Sequence, residues 1–201
     1  GGSDTSAAHF AAKLQAERLE IWTDVPGMFT ANPGEVPSAR LLRHLGYDEA
    51  QELATMGARV LHPRCLGPVK RHRIPLHIRS TEDPEINGTI VAGEGPDVGP
   101  HVKAISAKDE VTAVSMDTLG MWQQVGFLAD VFQIFKHHGL SVDLVATSEA
   151  NVTVTLDPQA NALDANVLDR LLHDLNQYCD AELIRSCAVV SLVGRHIRSL
   201  L

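Results

Sequence analysis

The side chains best placed for chemistry in this chain sit where loops open helices or follow strands. Gly1-Gly2-Ser3-Asp4-Thr5-Ser6-Ala7 puts a hydroxyl and a carboxylate at the opening of a helix. A carboxylate there can cap the orphan N–H groups of the first turn or serve a bound group, and the two uses are compatible. Ile21-Trp22-Thr23-Asp24-Val25-Pro26-Gly27 reads as a strand running into a Pro-Gly turn, which leaves Thr23 and Asp24 at its C-terminal end. In open α/β sheets ligands collect beyond strand C-termini; the plainer reading is an ordinary turn opener. Gly126-Phe127-Leu128 opens another helix, whose free N–H groups and positive dipole end suit a carboxylate. Asp143 and Glu149 add acidic side chains on an edge strand and in a turn, where each also reads as a solvated charge.

Other chemistries find no support. The chain contains no GxxxxGK[ST] loop, GxGxxG fingerprint, GxSxG elbow or HExxH helix. His137 and His138 are adjacent on a helix and point about 100° apart, a poor metal pair. Cys65, Cys179 and Cys187 are odd in number and lack CxxC spacing, which fits a reducing cytoplasmic setting rather than a disulfide framework. Net charge is −8, with 10 basic against 13 acidic side chains in residues 1–101 and 7 against 12 in residues 102–201. With no basic face and only 4% aromatics, nucleic-acid binding is not expected. No apolar run approaches the roughly 18 residues of a membrane span.

The elements that must position these groups alternate. Ser3 or Asp4 is expected to cap a helix reaching about Gln15, with Ala7, Phe10, Ala11 and Leu14 on its buried face. Leu19–Trp22 reads as a strand, 30–38 as a surface loop, and Asp48 as the cap of a second helix buried along Ala50, Leu53 and Ala54. A short helix over 63–71 and strands over 75–79 and 88–91 follow, an α/β layered pattern. Residues 92–101 hold three glycines and two prolines and read as a linker. Beyond it come a strand over 111–116, a helix from Gly126 stopped by Gly139, and two strands joined at Ser148-Glu149-Ala150-Asn151. A helix through Leu163, Val167, Leu171 and Leu175 and a strand over 188–193 close the chain. The order βαββαβ is the ferredoxin-like arrangement.

The blocks Gly1–Ala7, Ile21–Thr30 and Gly57-Ala58-Arg59-Val60-Leu61-His62-Pro63, in this order and spacing, resemble the second half of the aspartate kinase catalytic domain. The 102–201 region resembles the ACT regulatory module of the same family, and Met121, Gly126-Phe127-Leu128, Ser141-Val142-Asp143 and Thr147-Ser148-Glu149 match its lysine-inhibited members. The resemblance implies an α/β chain. Residues 1–92 would be the C-terminal part of an amino-acid-kinase fold and 93–101 a linker. Residues 102–201 would be a ferredoxin-like ACT region, with a second ACT unit opening near Arg195.

It implies transfer of the γ-phosphate of ATP, with Mg2+, to the β-carboxylate of L-aspartate. Ser3 and Asp4 would serve the substrate, with Asp4 helping to organise phosphoryl transfer. Thr23, Asp24, Phe29, Arg59 and Val60 would serve the nucleotide. Met121, Gly126, Phe127, Leu128, Ser141, Val142, Asp143, Ser148 and Glu149 would hold L-lysine, with Asp143 on its α-ammonium. Two departures stand out: Gly34 where the family usually has Arg, and Arg59 where it usually has Lys.

The chain is expected to be a fragment lacking its upstream lobe, inactive as a kinase by itself, and paired as a homodimer through ACT strands. A non-catalytic regulatory subunit of an aspartate kinase is the alternative; Gly1–Asp4 and Thr23–Asp24 argue against it. Glutamate 5-kinase is disfavoured by the ACT module, and a parent fused to another lysine-pathway enzyme is left open.

Overall fold

A computed structural model describes residues 2–58, 60–93, 99, 101–118 and 125–199. The chain divides into two compact units, residues 1–107 with 190–201, and residues 108–189.

In the first unit, α1 (Gly2–Leu14) leads into β1 (Leu19–Thr23), and β2 (His44–Gly46) runs directly into α2 (Tyr47–Thr55). A 3-10 turn (Pro63–Cys65) continues into α3 (Leu66–His72), followed by β3 (Leu76–Ser80) and β4 (Thr89–Ala92). The sheet order is β1-β3-β4-β2. The outer pairs β1/β3 and β4/β2 are parallel, and β3/β4 at the centre is antiparallel. Alternation along β3 buries Leu76, Ile78 and Ser80 on one face, as a period of two requires. Ile21, Leu45 and Val91 join Leu76 and Ile78 in a core with Ala8, Ala11, Leu53, Leu66 and Val69 of the helices.

Three expectations are corrected here. α1 starts at Gly2, so Ser3 and Asp4 lie inside its first turn rather than at the cap. Its buried residues are Ala8 and Ala11, whereas Phe10 and Leu14 are exposed. Small alanines let α1 approach α3 and the 3-10 turn closely, which turns the larger residues outward. α2 is capped from within: Glu49 Oε2 accepts the Gly46 N–H at 2.7 Å, and Asp48 sits in the first turn. The three-residue β2, too short to show a period, was not expected.

The second unit contains α4 (Phe127–His137), β6 (Val145–Thr147), β7 (Asn151–Leu156) and α5 (Ala165–Leu175). The long strands β5 (His101–Asp117) and β8 (Asp180–Arg195) carry the unit boundaries within them, at 107/108 and 189/190. Both strands are far longer than expected, and they contain the left-handed residues Glu110 (φ 59°) and Ser186 (φ 56°). The sheet order β6-β7-β5-β8 is that of a ferredoxin-like βαββαβ unit. β7 pairs antiparallel with both β5 and β6. Phe127, Val131 and Phe135 of α4 and Leu168, Leu171 and Leu175 of α5 fill the core against Val114, Met116, Val152, Val154 and Leu156. The strand before the Ser148–Asn151 turn begins only at Val145. Ser141–Leu144 is irregular but tied to β7, with Asp143 N–H donating to Thr155 O (2.9 Å) and Thr155 N–H to Leu144 O (3.0 Å).

Candidate functional site

Asp4 projects from the first turn of α1, where a negative charge complements the helix dipole. Its Oδ1 accepts the Ser3 hydroxyl (3.2 Å) and its Oδ2 accepts the backbone N–H of His62 (2.9 Å). The carboxylate therefore joins two of the sequence blocks, the opening turn of α1 and Val60-Leu61-His62-Pro63. His62 itself shapes a turn: its Nδ1 accepts the Arg64 N–H (3.2 Å) at the head of the 3-10 segment. Beneath them Cys65 is fully buried; burial, together with the Asp4 charge, pushes its thiol up to about 12, so it is no nucleophile.

Thr23 and Asp24 lie at the C-terminal end of β1, as expected, and Thr23 Oγ1 donates to Asp24 Oδ1 (2.9 Å). The Thr23 carbonyl accepts both N–H and Oγ1–H of Thr81, which anchors the loop root to the segment after β3. The loop that follows is fixed by a residue the sequence did not single out. Thr89 Oγ1 accepts the Met28 N–H (2.8 Å) and donates to Leu42 O (2.7 Å). Gly27 (φ 151°) fits because a Cβ there would stand 2.3 Å from Thr89 Oγ1, and a Cβ on Gly88 would stand 2.3 Å from Pro26 O. Phe29 is half-buried and bridges to Leu41. Gly34 lies in the exposed turn between them, donating its N–H to Asn32 Oδ1 (3.1 Å). Arg59 lies outside the described residues; Val60 is half-buried. An open cavity of about 730 Å3, lined by Arg43, His44, His77, Arg79 and 85–90, includes none of the expected site residues.

In the second unit Met121 lies outside the described residues. Gly126 takes a left-handed conformation (φ 92°) as the cap of α4, with no side-chain cap on the helix. The Phe127 side chain is part of the core, whereas Leu128 is exposed. Ser148 Oγ accepts the Asn151 N–H (3.1 Å) and so builds the β6–β7 turn, in which Glu149 is exposed. Ser141-Val142-Asp143 is held from behind. The buried Asn161 accepts the Ser141 N–H at 2.6 Å and donates to Ser141 O and Asp157 O, both at 3.0 Å. Asp143 Oδ2 is bonded by Lys108 Nζ (2.8 Å), which also bonds Asp157 Oδ2 (3.0 Å). Lys108, Asp157 and Asn161 were missed from the sequence because 35 and 14 residues separate Asp143 from Lys108 and Asp157. No local motif marks the trio.

Residues 1–80 match the amino acid kinase family. The βαββαβ unit adds an ACT-like antiparallel sheet, so the chain combines amino acid kinase sequence with a ferredoxin-like module. The chain is 39% identical over 201 residues to lysine-sensitive aspartokinase 3 of Escherichia coli (strain K12), covering 98% of this chain and 44% of that relative. It is 36% identical to chloroplastic aspartokinase 1 of Arabidopsis thaliana, over 96% of this chain and 35% of the relative. The solved structure of E. coli aspartokinase III in complex with aspartate and ADP (R-state) superposes with a TM-score of 0.87 at 38% identity. It covers 99% of this chain and 45% of its own. The same enzyme in complex with lysine and aspartate (T-state) gives 0.83 at 37% identity, over 100% of this chain and 47% of its own. Over nearly its whole length the chain is similar to aspartokinases, and it spans less than half the length of these relatives.

Proposed function

We propose that the polypeptide to which this chain belongs transfers the γ-phosphate of ATP to the β-carboxylate of L-aspartate, and that its second unit takes L-lysine as a feedback effector. The observation that carries this reading is the match of nearly the whole chain to E. coli aspartokinase III, in both an aspartate–ADP complex and a lysine–aspartate complex. The amino acid kinase match over 1–80 favours a catalytic parent over a purely regulatory subunit.

In this reading Ser3 and Asp4 bind aspartate and organise the transfer. The Asp4 carboxylate is held by Ser3 and the His62 N–H, so it is oriented before substrate arrives. Thr23, Asp24 and Phe29, at a loop pinned by Thr89, bind the nucleotide together with Arg59 and Val60. Mg2+ would come bound to the ATP phosphates and neutralise their charge; hard oxygens such as those of Asp4 suit it. Lysine would lay its carboxylate at the N-terminal end of α4, near Met121 and Gly126-Phe127-Leu128. Its α-ammonium would meet Asp143 beside Ser141 and Val142, and its ε-ammonium Ser148 and Glu149.

A homodimer through the ACT strands is supported by the edge strand β6, whose Val145, Ala146 and Thr147 are all exposed. No helix among the described residues is long and apolar enough to cross a membrane. A cytoplasmic setting belongs to this reading, in keeping with three free cysteines.

Calorimetric titration of the chain with L-lysine tests the effector reading. Saturable binding lost in Asp143→Ala is expected; saturable L-threonine binding without lysine binding would overturn it. Sedimentation showing only monomer, with and without lysine, would overturn the dimer.

A further inference from the structure

The ion cluster at Asp143 raises a question that the effector reading leaves open. Asp143 cannot attract a ligand ammonium if its charge is already cancelled, and Lys108 sits 2.8 Å from it. With Lys108 alone the pair would be neutral, and a second ammonium would gain little by approaching. Asp157 changes this balance. Its Oδ2 lies 3.0 Å from the same Nζ, so two carboxylates share one ammonium and the trio carries a single net negative charge. The side chains of Lys108, Asp143 and Asp157 are 11%, 22% and 16% exposed, so the charges are only partly screened by water. Asp143 is the most open of the three.

We infer that Asp157, acting through Lys108, is a positioning residue of the amino-acid site: it returns to Asp143 the negative charge that Lys108 would otherwise cancel. This rests on the reading that Asp143 meets the ligand's α-ammonium.

The surrounding structure fits that role. Burial by itself would disfavour a charged Lys108, but hydrogen bonds and charge from both carboxylates outweigh it and raise its pKa above 10.5, so the ammonium is permanent. Asp157 is itself held, its Oδ1 accepting the Gln159 N–H (2.8 Å) and its carbonyl accepting from Ala160 N–H, Asn161 N–H and Asn161 Nδ2. The Asn161 amide then fastens the backbone of Ser141, two residues before Asp143. One short loop therefore fixes both the position of the 141–143 segment and its charge.

Charge bookkeeping gives the trio −1 in the natural chain, 0 in Asp157→Asn, −2 in Lys108→Met, and −1 again in the double variant. The test is calorimetric titration of all four chains with L-lysine, with far-UV circular dichroism to check folding. Asp157→Asn is expected to bind about tenfold more weakly. Lys108→Met is expected to bind at least as tightly as the natural chain, and the double variant to recover most of what Asp157→Asn lost. A purely structural role predicts the opposite order, with the double variant weakest, and that result would overturn the inference. Equal affinity in the natural chain and Asp157→Asn would also overturn it while leaving the effector reading in place. No saturable lysine binding by the natural chain would overturn both. Should Asp157→Asn fail to fold, Lys108→Met still decides: marked loss of lysine binding there contradicts the charge account.

Discussion

Each unit of this molecule contains a three-residue ion cluster, and the two are built in opposite senses. In the first unit a single carboxylate, Glu49, lies between two cations, Lys103 Nζ at 2.7 Å and Arg195 Nε at 3.1 Å, and also accepts the Gly46 N–H. In the second, a single ammonium, Lys108, lies between two carboxylates. Glu49 is 6% exposed and both of its oxygens are engaged, which leaves nothing for a ligand. It ties α2 to β5 and β8 within that unit, and its role is structural. The trio around Lys108 retains a negative charge and a partly open carboxylate beside a proposed amino-acid site. An ion cluster can thus be a fastener or a receptor, and the ratio of its charges together with its exposure decides which.

The contrast can be broken most directly at Glu49. Replacing it by Ala removes the buried carboxylate that Lys103, Arg195 and the Gly46 N–H share, at a cost of about 3 to 4 kcal/mol in urea unfolding. Asn161→Ala should follow at about 2 kcal/mol, because it removes three hydrogen bonds from a buried site and frees the Ser141 backbone. Lys108→Met strands two carboxylates that are 22% and 16% exposed, at a cost of about 2 kcal/mol, lower than for Glu49→Ala because no backbone N–H loses its acceptor with it. A loss equal to that of Glu49→Ala would erase the distinction drawn between the clusters.

The smallest effect is on pH dependence. Burial would raise the Glu49 carboxyl, but hydrogen bonds from Lys103 and the Gly46 N–H, with the charges of Lys103 and Arg195, outweigh it and hold the group below its ordinary 4.5. A depressed carboxyl stabilises fully above the unfolded value and loses that contribution as pH falls through the folded one. Urea midpoints should therefore fall below about pH 4.5, and Glu49→Gln should flatten this acid limb. Lys108 behaves in reverse: its raised pKa stabilises fully below 10.5 and is lost only at higher pH, so it adds nothing to the acid limb.

Much of the architecture was legible in the residues. The βαββαβ order followed from apolar spacing alone, because α4 and α5 present clear helical stripes and β7 a strict alternation. The α1 stripe was misread for a definite reason. Phe10 and Leu14 are apolar but lie outside, while Ala8 and Ala11 take the buried side, and composition cannot say which face meets a neighbour. Thr23 and Asp24 at the end of β1 and Glu149 in the β6–β7 turn stand where the spacing put them, and the resemblance supplied the role expected of each residue.

What the sequence determined by itself is the set of local elements, the resemblance to aspartate kinases and the candidate loops, since these depend on contiguous residues and their spacing. Only the tertiary structure decided that Asp4 reaches His62, that Thr89 pins the loop after Thr23, and that Lys108 stands between Asp143 and Asp157. These are contacts between residues from 35 to 61 positions apart. Their geometry is fixed by strand register and helix packing, which act across the chain and leave no local pattern to read.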